Sequence, residues 1–276
     1  MKNIFGSIGY TLLNNKNNIL IFADKHDNIP DCNNKINMAE WFKTKFDSSI
    51  ILLEEIPRVN SKILELWDQS VHTKELKDVY LQNPNIIKPV DIRHFLLNFS
   101  WEVIEENNQL EYDITLKEYL LLIDEFLSMK NSYLKQNCEL YDSKILVNLT
   151  LGRHFLNIKN EFKKLLLNVD KLKLLNKKIK YIINHHIQFL IDINELISKI
   201  MEWYICACIC NYENRSLIIH VGLAHSEQII NLLQSIYEYQ IIEQQGINKL
   251  EELNYKKIQG CVKISENINQ QFGGYF

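Results

Sequence analysis

Short apolar runs alternate with polar punctuation at both ends of the chain, and a different rhythm occupies the middle. Asn18–Ala23, Ser49–Leu53 and Ser216–Val221 are apolar segments of strand length, the pattern of strands covered on both faces of a parallel sheet. Ile86–Ile92 reads as another strand, and Pro89 within it predicts a sheet edge or a bulge. Lys35–Phe46 places Met38, Ala39, Phe42 and Phe46 at helical spacing, and Ser61–Trp67, Thr73–Leu81 and Ser226–Leu233 also read as helices. Tyr239–Ile242 and Lys257–Ile264 are candidates for final strands. Gln270–Phe276, with its glycines and aromatics, is expected to be a loosely held tail.

From about Trp101 to Cys210 the period changes. The segment has a single glycine, Gly152, and no proline. Phe155, Ile158, Phe162, Leu165, Leu166, Val169, Leu172, Leu175, Ile179, Ile182 and Ile183 recur mostly at three- and four-residue steps. That is the mark of amphipathic helices packed antiparallel. The expected fold is α/β, with a mostly parallel sheet formed by the N- and C-terminal parts (1–100 and 211–276) and a large all-helical insertion (101–210) between them.

Charge narrows the function classes. The 31 basic and 34 acidic residues leave a net charge of −3, which speaks against a general nucleic-acid binder. The apolar runs are far too short to span a bilayer, and Met1–Leu13 lacks the apolar core of a signal peptide. A cytoplasmic protein is expected, in a host cytoplasm or a virion if the source is viral. Asn, Ile, Lys and Leu dominate and there are only 8 Gly and 4 Pro, a bias that AT-rich codons produce. The 6 cysteines include no pair at the two-residue spacing of zinc ribbons and redox motifs. They are expected to be small buried hydrophobes in a reducing compartment. Cys206 and Cys210, which would share a helical face, keep a metal pair open.

Candidate chemistry gathers where the expected strands end. Ala23 leads into Asp24 and His26, Leu53 into Glu54, Glu55 and Arg58, the Pro89 strand into Asp91 and Arg93, and Val221 into Gly222 and His225. Ligands of open parallel sheets bind beyond the carboxyl ends of the strands. Two histidines and a carboxylate, here His26, His225 and Asp24, can hold a divalent metal (Mn, Co or Zn) and leave a position for water. The same residue types also work without metal, with a histidine as general base and a carboxylate orienting it, and Glu54 or Glu55 can be a ligand or the general acid/base. Arg93 or Arg58 can stabilise an oxyanion, and Asp91 shares a side of its strand with Arg93, where a simple ion pair is the alternative. Asp24 and Asp27 can instead cap a turn. His220 lies within an apolar strand and reads as a satisfied core histidine. His72, His94, His154, His185 and His186 read as packed or solvated helix residues.

The segment Leu217–Leu233, with Gly222-Leu223-Ala224-His225, resembles the second Gly-x-x-His motif of the superfamily that joins TraB, TIKI, erythromycin-esterase and ChaN-like proteins. Ala23-Asp24-Lys25-His26 resembles the first such motif, with Ala23 where the family has glycine, and Leu53-Glu54-Glu55-Ile56-Pro57-Arg58 resembles its Glu-bearing strand end. The likeness covers the sheet segments, about half of the chain, and the layout is also similar to proteins of large DNA viruses. The resemblance implies an α/β core with a site at the strand ends carried by His26, His225 and Glu54. It implies a metal-dependent hydrolase cleaving an ester or peptide-type bond of a small-molecule or peptide substrate. Haem or another small ligand is an alternative within the superfamily. A non-catalytic viral structural or host-interaction protein, meeting its partner through the helical insertion, is the alternative outside catalysis.

Overall fold

The computed structural model describes residues 3–25, 27–57, 71–96, 115–138 and 140–273. Its strands are β1 (Asn3–Phe5), β2 (Gly9–Asn14), β3 (Asn18–Asp24), β4 (Lys35–Asn37), β5 (Ser49–Leu53), β6 (Ile87–Pro89), β7 (Ser216–Gly222), β8 (Gln240–Gly246) and β9 (Cys261–Lys263). Its helices are α1 (Met38–Lys43), α2 (Val71–Gln82), α3 (Leu116–Leu127), α4 (Ser132–Asn137), α5 (Leu149–Leu172), α6 (Ile179–His185), α7 (Ile187–Asn211), α8 (Leu223–Ser235) and α9 (Glu266–Phe272). The chain is thus mixed α/β, and it divides into two compact units, Met1–Asp91 with Cys208–Phe276, and Ile92–Ala207.

The first unit is built on a six-stranded sheet in the order β6-β5-β7-β3-β2-β8. β3, β5, β6 and β7 run parallel, while β2 pairs antiparallel with β3 and with β8. β7 comes from the C-terminal half yet lies between two N-terminal strands, with Asp24 opposite Gly222 and Leu53 opposite His220. Burial on both faces explains why these strands read as unbroken apolar runs. On one face Tyr10, Leu12, Leu20, Phe22, Ile51, Leu53 and Ile218 pack with side chains of α1, α2 and α9. Each such side chain, fully buried, contributes about 1.5–3 kcal/mol. On the other face Ala23 packs with Leu223 of α8 and Ile247.

Several expectations need correction. Lys35–Asn37 is a strand and not helix, because it pairs in parallel with β1. β9 keeps only three residues of the expected Lys257–Ile264 strand and joins β1 and β4 in a separate three-stranded sheet. The tail is anchored as far as Gly273: Phe272 is fully buried, Ser48 donates to the Phe272 carbonyl and Lys45 to that of Gly273. β2 was not anticipated, and neither was β1. The expected helix Ser61–Trp67 lies outside the described residues.

The cysteines also divide. Cys32 and Cys261, 229 residues apart in sequence, are joined in a disulfide. Cys138, Cys206 and Cys208 are buried thiols and Cys210 is half-buried. The reading of all of them as unpaired hydrophobes therefore fails for one pair. The Gly260 N–H donates to the Pro30 carbonyl at 3.1 Å, and this crossing of two distant stretches sets the pair side by side, which spacing along the sequence cannot reveal.

Gly9 marks a close backbone crossing. A Cβ there would lie 2.0 Å from the Ile247 carbonyl oxygen, an atom of the main chain that cannot swing away. Gly9→Ala is expected to lower the unfolding free energy by about 2–4 kcal/mol in urea titration. A loss below about 0.5 kcal/mol would show that the crossing relaxes freely.

The second unit is helical over most of its described length, with 3-10 turns at Arg93–Leu96 and Ser143–Val147. No described helix is long and apolar enough to cross a membrane. Thr115 and Glu118 form a capping box at the start of α3, which satisfies amides left without helical acceptors. Phe126, Tyr141, Phe155 and Trp203 form an aromatic cluster, and the Trp203 indole N–H donates to the Leu151 carbonyl at 3.2 Å. His154, on α5, is buried beside this cluster's Phe155 in sequence, and burial pulls its pKa down from 6.5 to about 4 against the opposing field of Glu161.

That shift gives a pH dependence with a definite sign. The unfolded chain binds a proton at His154 below its ordinary pKa of 6.5, and the folded chain does so only below about 4. Stability from this group is complete above 6.5 and falls as pH drops through the window to about 4, by about 3 kcal/mol in all. His154→Gln is expected to flatten this part of the stability profile, followed by urea midpoints between those two pH values. An unchanged slope in the variant would assign it to other groups.

Candidate functional site

Four parallel strands deliver polar residues to one edge of the large sheet. Asp24 is the last residue of β3 and Gly222 the last of β7, Glu54 and Glu55 follow β5 directly, and Asp91 follows β6. The backbone continues the sheet here: the Glu54 N–H donates to the His220 carbonyl at 3.0 Å, and the Asp91 N–H to that of Glu55 at 3.1 Å.

Glu54 reaches across to the start of α8. Its Oε2 accepts from the Gly222 N–H at 2.6 Å, although 168 residues separate them. Gly222 is the N-cap of α8 and has no side chain to cap with. Its amide belongs to the helix end, where orphan donors and the macrodipole favour a negative group. Glu54 supplies that charge from another strand. His225 lies in the first turn of the same helix, with Nε2 3.7 Å from Glu54 Oε1. This is longer than a hydrogen bond but within ion-pair range, so a proton gained by the ring meets a carboxylate already fixed in place. The Glu54 side chain is 5% exposed and that of His225 12%. The imidazole is therefore the more accessible partner.

A second pair lies on the other side of β7. Asp24 Oδ1 and His72 Nε2 are 2.8 Å apart, with side-chain exposures of 0% and 4%. Phe22 precedes Asp24 by two residues in β3 and packs on the α1 and α2 face. Period-two alternation carries Asp24 to that same face, where His72 opens the first turn of α2. The Phe5 ring meets His72 edge-on at 6.1 Å between centroids. Gly6, with φ of +113°, passes so close that a Cβ would lie 3.6 Å from His72 Cβ. The Gly6 carbonyl accepts from His220 Nε2–H at 2.8 Å, which makes His220 a satisfied core histidine. Asp24 and Glu54 flank β7 about 10 Å apart, two strand spacings, and their histidines come from helices on opposite faces.

The structure thus brings together Glu54 and His225, and places Asp24 with His72. Glu55 and Asp91 are buried next to each other's backbone. Arg93 opens the first 3-10 turn of the second unit. His26, Arg58 and the side chain of His94 lie outside the described residues. Among the described residues no three His, Cys, Asp or Glu side chains converge as a metal would require. Asp24 and His225, expected to share an ion with His26, each sit in a separate carboxylate–imidazole pair. His26, the third residue of the expected metal set, lies outside the described residues, and no chemical step below passes through a metal.

His72 is the partner that sequence reasoning missed. A signal existed: His72, Leu76, Val79 and Tyr80 are all buried and recur at the i, i+4, i+7, i+8 spacing of one helical stripe. A histidine within such a stripe needs a buried partner, and a strand-end carboxylate is a natural one.

No protein-family model matches the chain, and no curated protein and no solved structure matches it.

Proposed function

We propose that the protein is a hydrolase in which His225 is the general base and Glu54 orients it. The observation that supports this most is the Glu54 carboxylate, fixed by the Gly222 amide at 2.6 Å and facing His225 Nε2 at 3.7 Å. In this reading the neutral imidazole takes a proton from water as the oxygen attacks an ester or amide carbon. The new imidazolium closes on Glu54, and the proton then passes to the leaving group. Glu54 stays ionised and holds the ring's orientation. The deeply buried Asp24–His72 pair steadies the neighbouring strand end and is not reached by substrate.

In this reading the substrate is a small molecule or a peptide. The test is a panel of ester, amide and phosphoester substrates with the full chain, compared with His225→Ala. Turnover above the variant supports the reading, and equal background rates refute it.

One observation favours a non-catalytic alternative. Leu149, Leu156 and Leu167 are 77%, 53% and 61% exposed, and their spacing aligns them on one side of α5. These leucines are interspersed with exposed Asn160 and Lys163 on that side, a mixed surface that a protein partner would cover in this reading, which leads if the panel shows no turnover.

A further inference from the structure

The disulfide between Cys32 and Cys261 ties the chain leaving Asp24 to the small sheet beside His72, and we propose that it is a thiol-sensitive clamp on the Asp24–His72 pair. This goes beyond the hydrolase reading and does not depend on it.

The connection runs through few atoms. Cys261 stands opposite Phe5 in the antiparallel pairing of β1 with β9, and the Phe5 ring meets His72. The Gly6 N–H donates to the Gly260 carbonyl at 3.0 Å, and the Gly260 N–H to that of Pro30 at 3.1 Å. Pro30 and Cys32 lie on the stretch that follows Asp24, so both ends of the dyad's surroundings meet at the disulfide. The sheet β4-β1-β9 has only three residues in each strand. Such a sheet is marginal on its own; Ile4 and Val262 anchor it in the main core, and the covalent link adds a tie at the end nearest His72.

The link is also accessible. Cys32 and Cys261 are both half-buried, within reach of a small dithiol. The other cysteines do not compete: Cys206 and Cys208 are buried, and burial raises the Cys138 thiol to about 12 and the Cys210 thiol to about 11, leaving little thiolate for exchange. A dithiol reductant attacks one sulfur as thiolate and forms a mixed disulfide. Its second thiol then closes a cyclic disulfide. The protein gains two electrons and two protons as two thiols, and the reductant is oxidised by the same amount.

The test uses the full chain purified without reductant, with dithiothreitol as the probe. Alkylation and mass spectrometry should count four thiols before reduction and six after it. Native-state hydrogen exchange should then show the Gly6 and Gly260 amides exchanging at least about tenfold faster after reduction, with β3 and β7 amides unchanged. The His72 ring resonances should move on reduction. A Cys32→Ala, Cys261→Ala double variant should show the faster exchange from the start and no response to dithiothreitol. If that variant does not fold, the reduced native protein gives the same reading. Six thiols in the protein as purified, or exchange at Gly6 and Gly260 unaffected by reduction, would overturn the clamp. Equal acceleration throughout β3 and β7 would overturn it as well, because the link would then support the whole unit. None of these measurements uses turnover, so their failure is separate from failure of the hydrolase reading.

Discussion

Replacing His225 by alanine is expected to slow turnover by about 10²–10⁴-fold while the protein stays folded. The side chain, the proton acceptor of the proposed reaction, stands at a helix start and is not part of either apolar cluster, so its removal opens no large cavity. Glu54→Gln should give a loss of similar order. The amide can still accept from the Gly222 N–H, so helix α8 keeps its cap, but the charge that receives the imidazolium is gone. His186→Ala, at the end of α6, is the control and should leave the rate unchanged. Steady-state kinetics with any substrate from the panel measures all three. A His225→Ala protein that retains more than about half of the wild-type rate would remove the ring from the chemistry.

The second large effect concerns stability. His72→Ala is expected to cost about 3–5 kcal/mol of unfolding free energy. The Asp24 side chain is fully buried, and without the imidazole its charge loses a partner 2.8 Å away in a place water does not reach. Asp24→Asn should be milder, because it removes the charge and keeps a group able to bond the ring. Urea denaturation of both variants gives the comparison. If His72→Ala cost less than about 1 kcal/mol, the pair would be a surface-like contact and not a support for the strand end.

The parallel part of the sheet was readable because its strands are covered on both faces. Ile19–Ala23, Ile51–Leu53 and Leu217–Ile219 are all almost completely buried, so sequence and burial carry the same signal. Pro89 likewise pointed to an edge, and β6 is an edge strand. What remained hidden depends on partners distant in sequence. Lys35–Asn37 looks like the first turn of a helix until β1 pairs with it. Cys32 and Cys261 become neighbours only when β9 returns to β1. The strand ends were legible as places for chemistry, but the pairing within them was not. Glu54 finds Gly222 and His225 because β7 is inserted beside β5. Asp24 finds His72 because α2 packs on the face to which alternation directs it. No spacing along the chain encodes either meeting.

The most direct measurement is a double-mutant cycle on kcat/KM with the wild type, Glu54→Gln, His225→Ala and the double variant, using the best substrate of the panel. If Glu54 acts only by orienting His225 and receiving its proton, removing it matters little once the ring is gone. The double variant should then be about as slow as His225→Ala alone. Losses that multiply in the double variant, or the absence of any turnover by the wild type, would contradict a shared general base at Glu54 and His225.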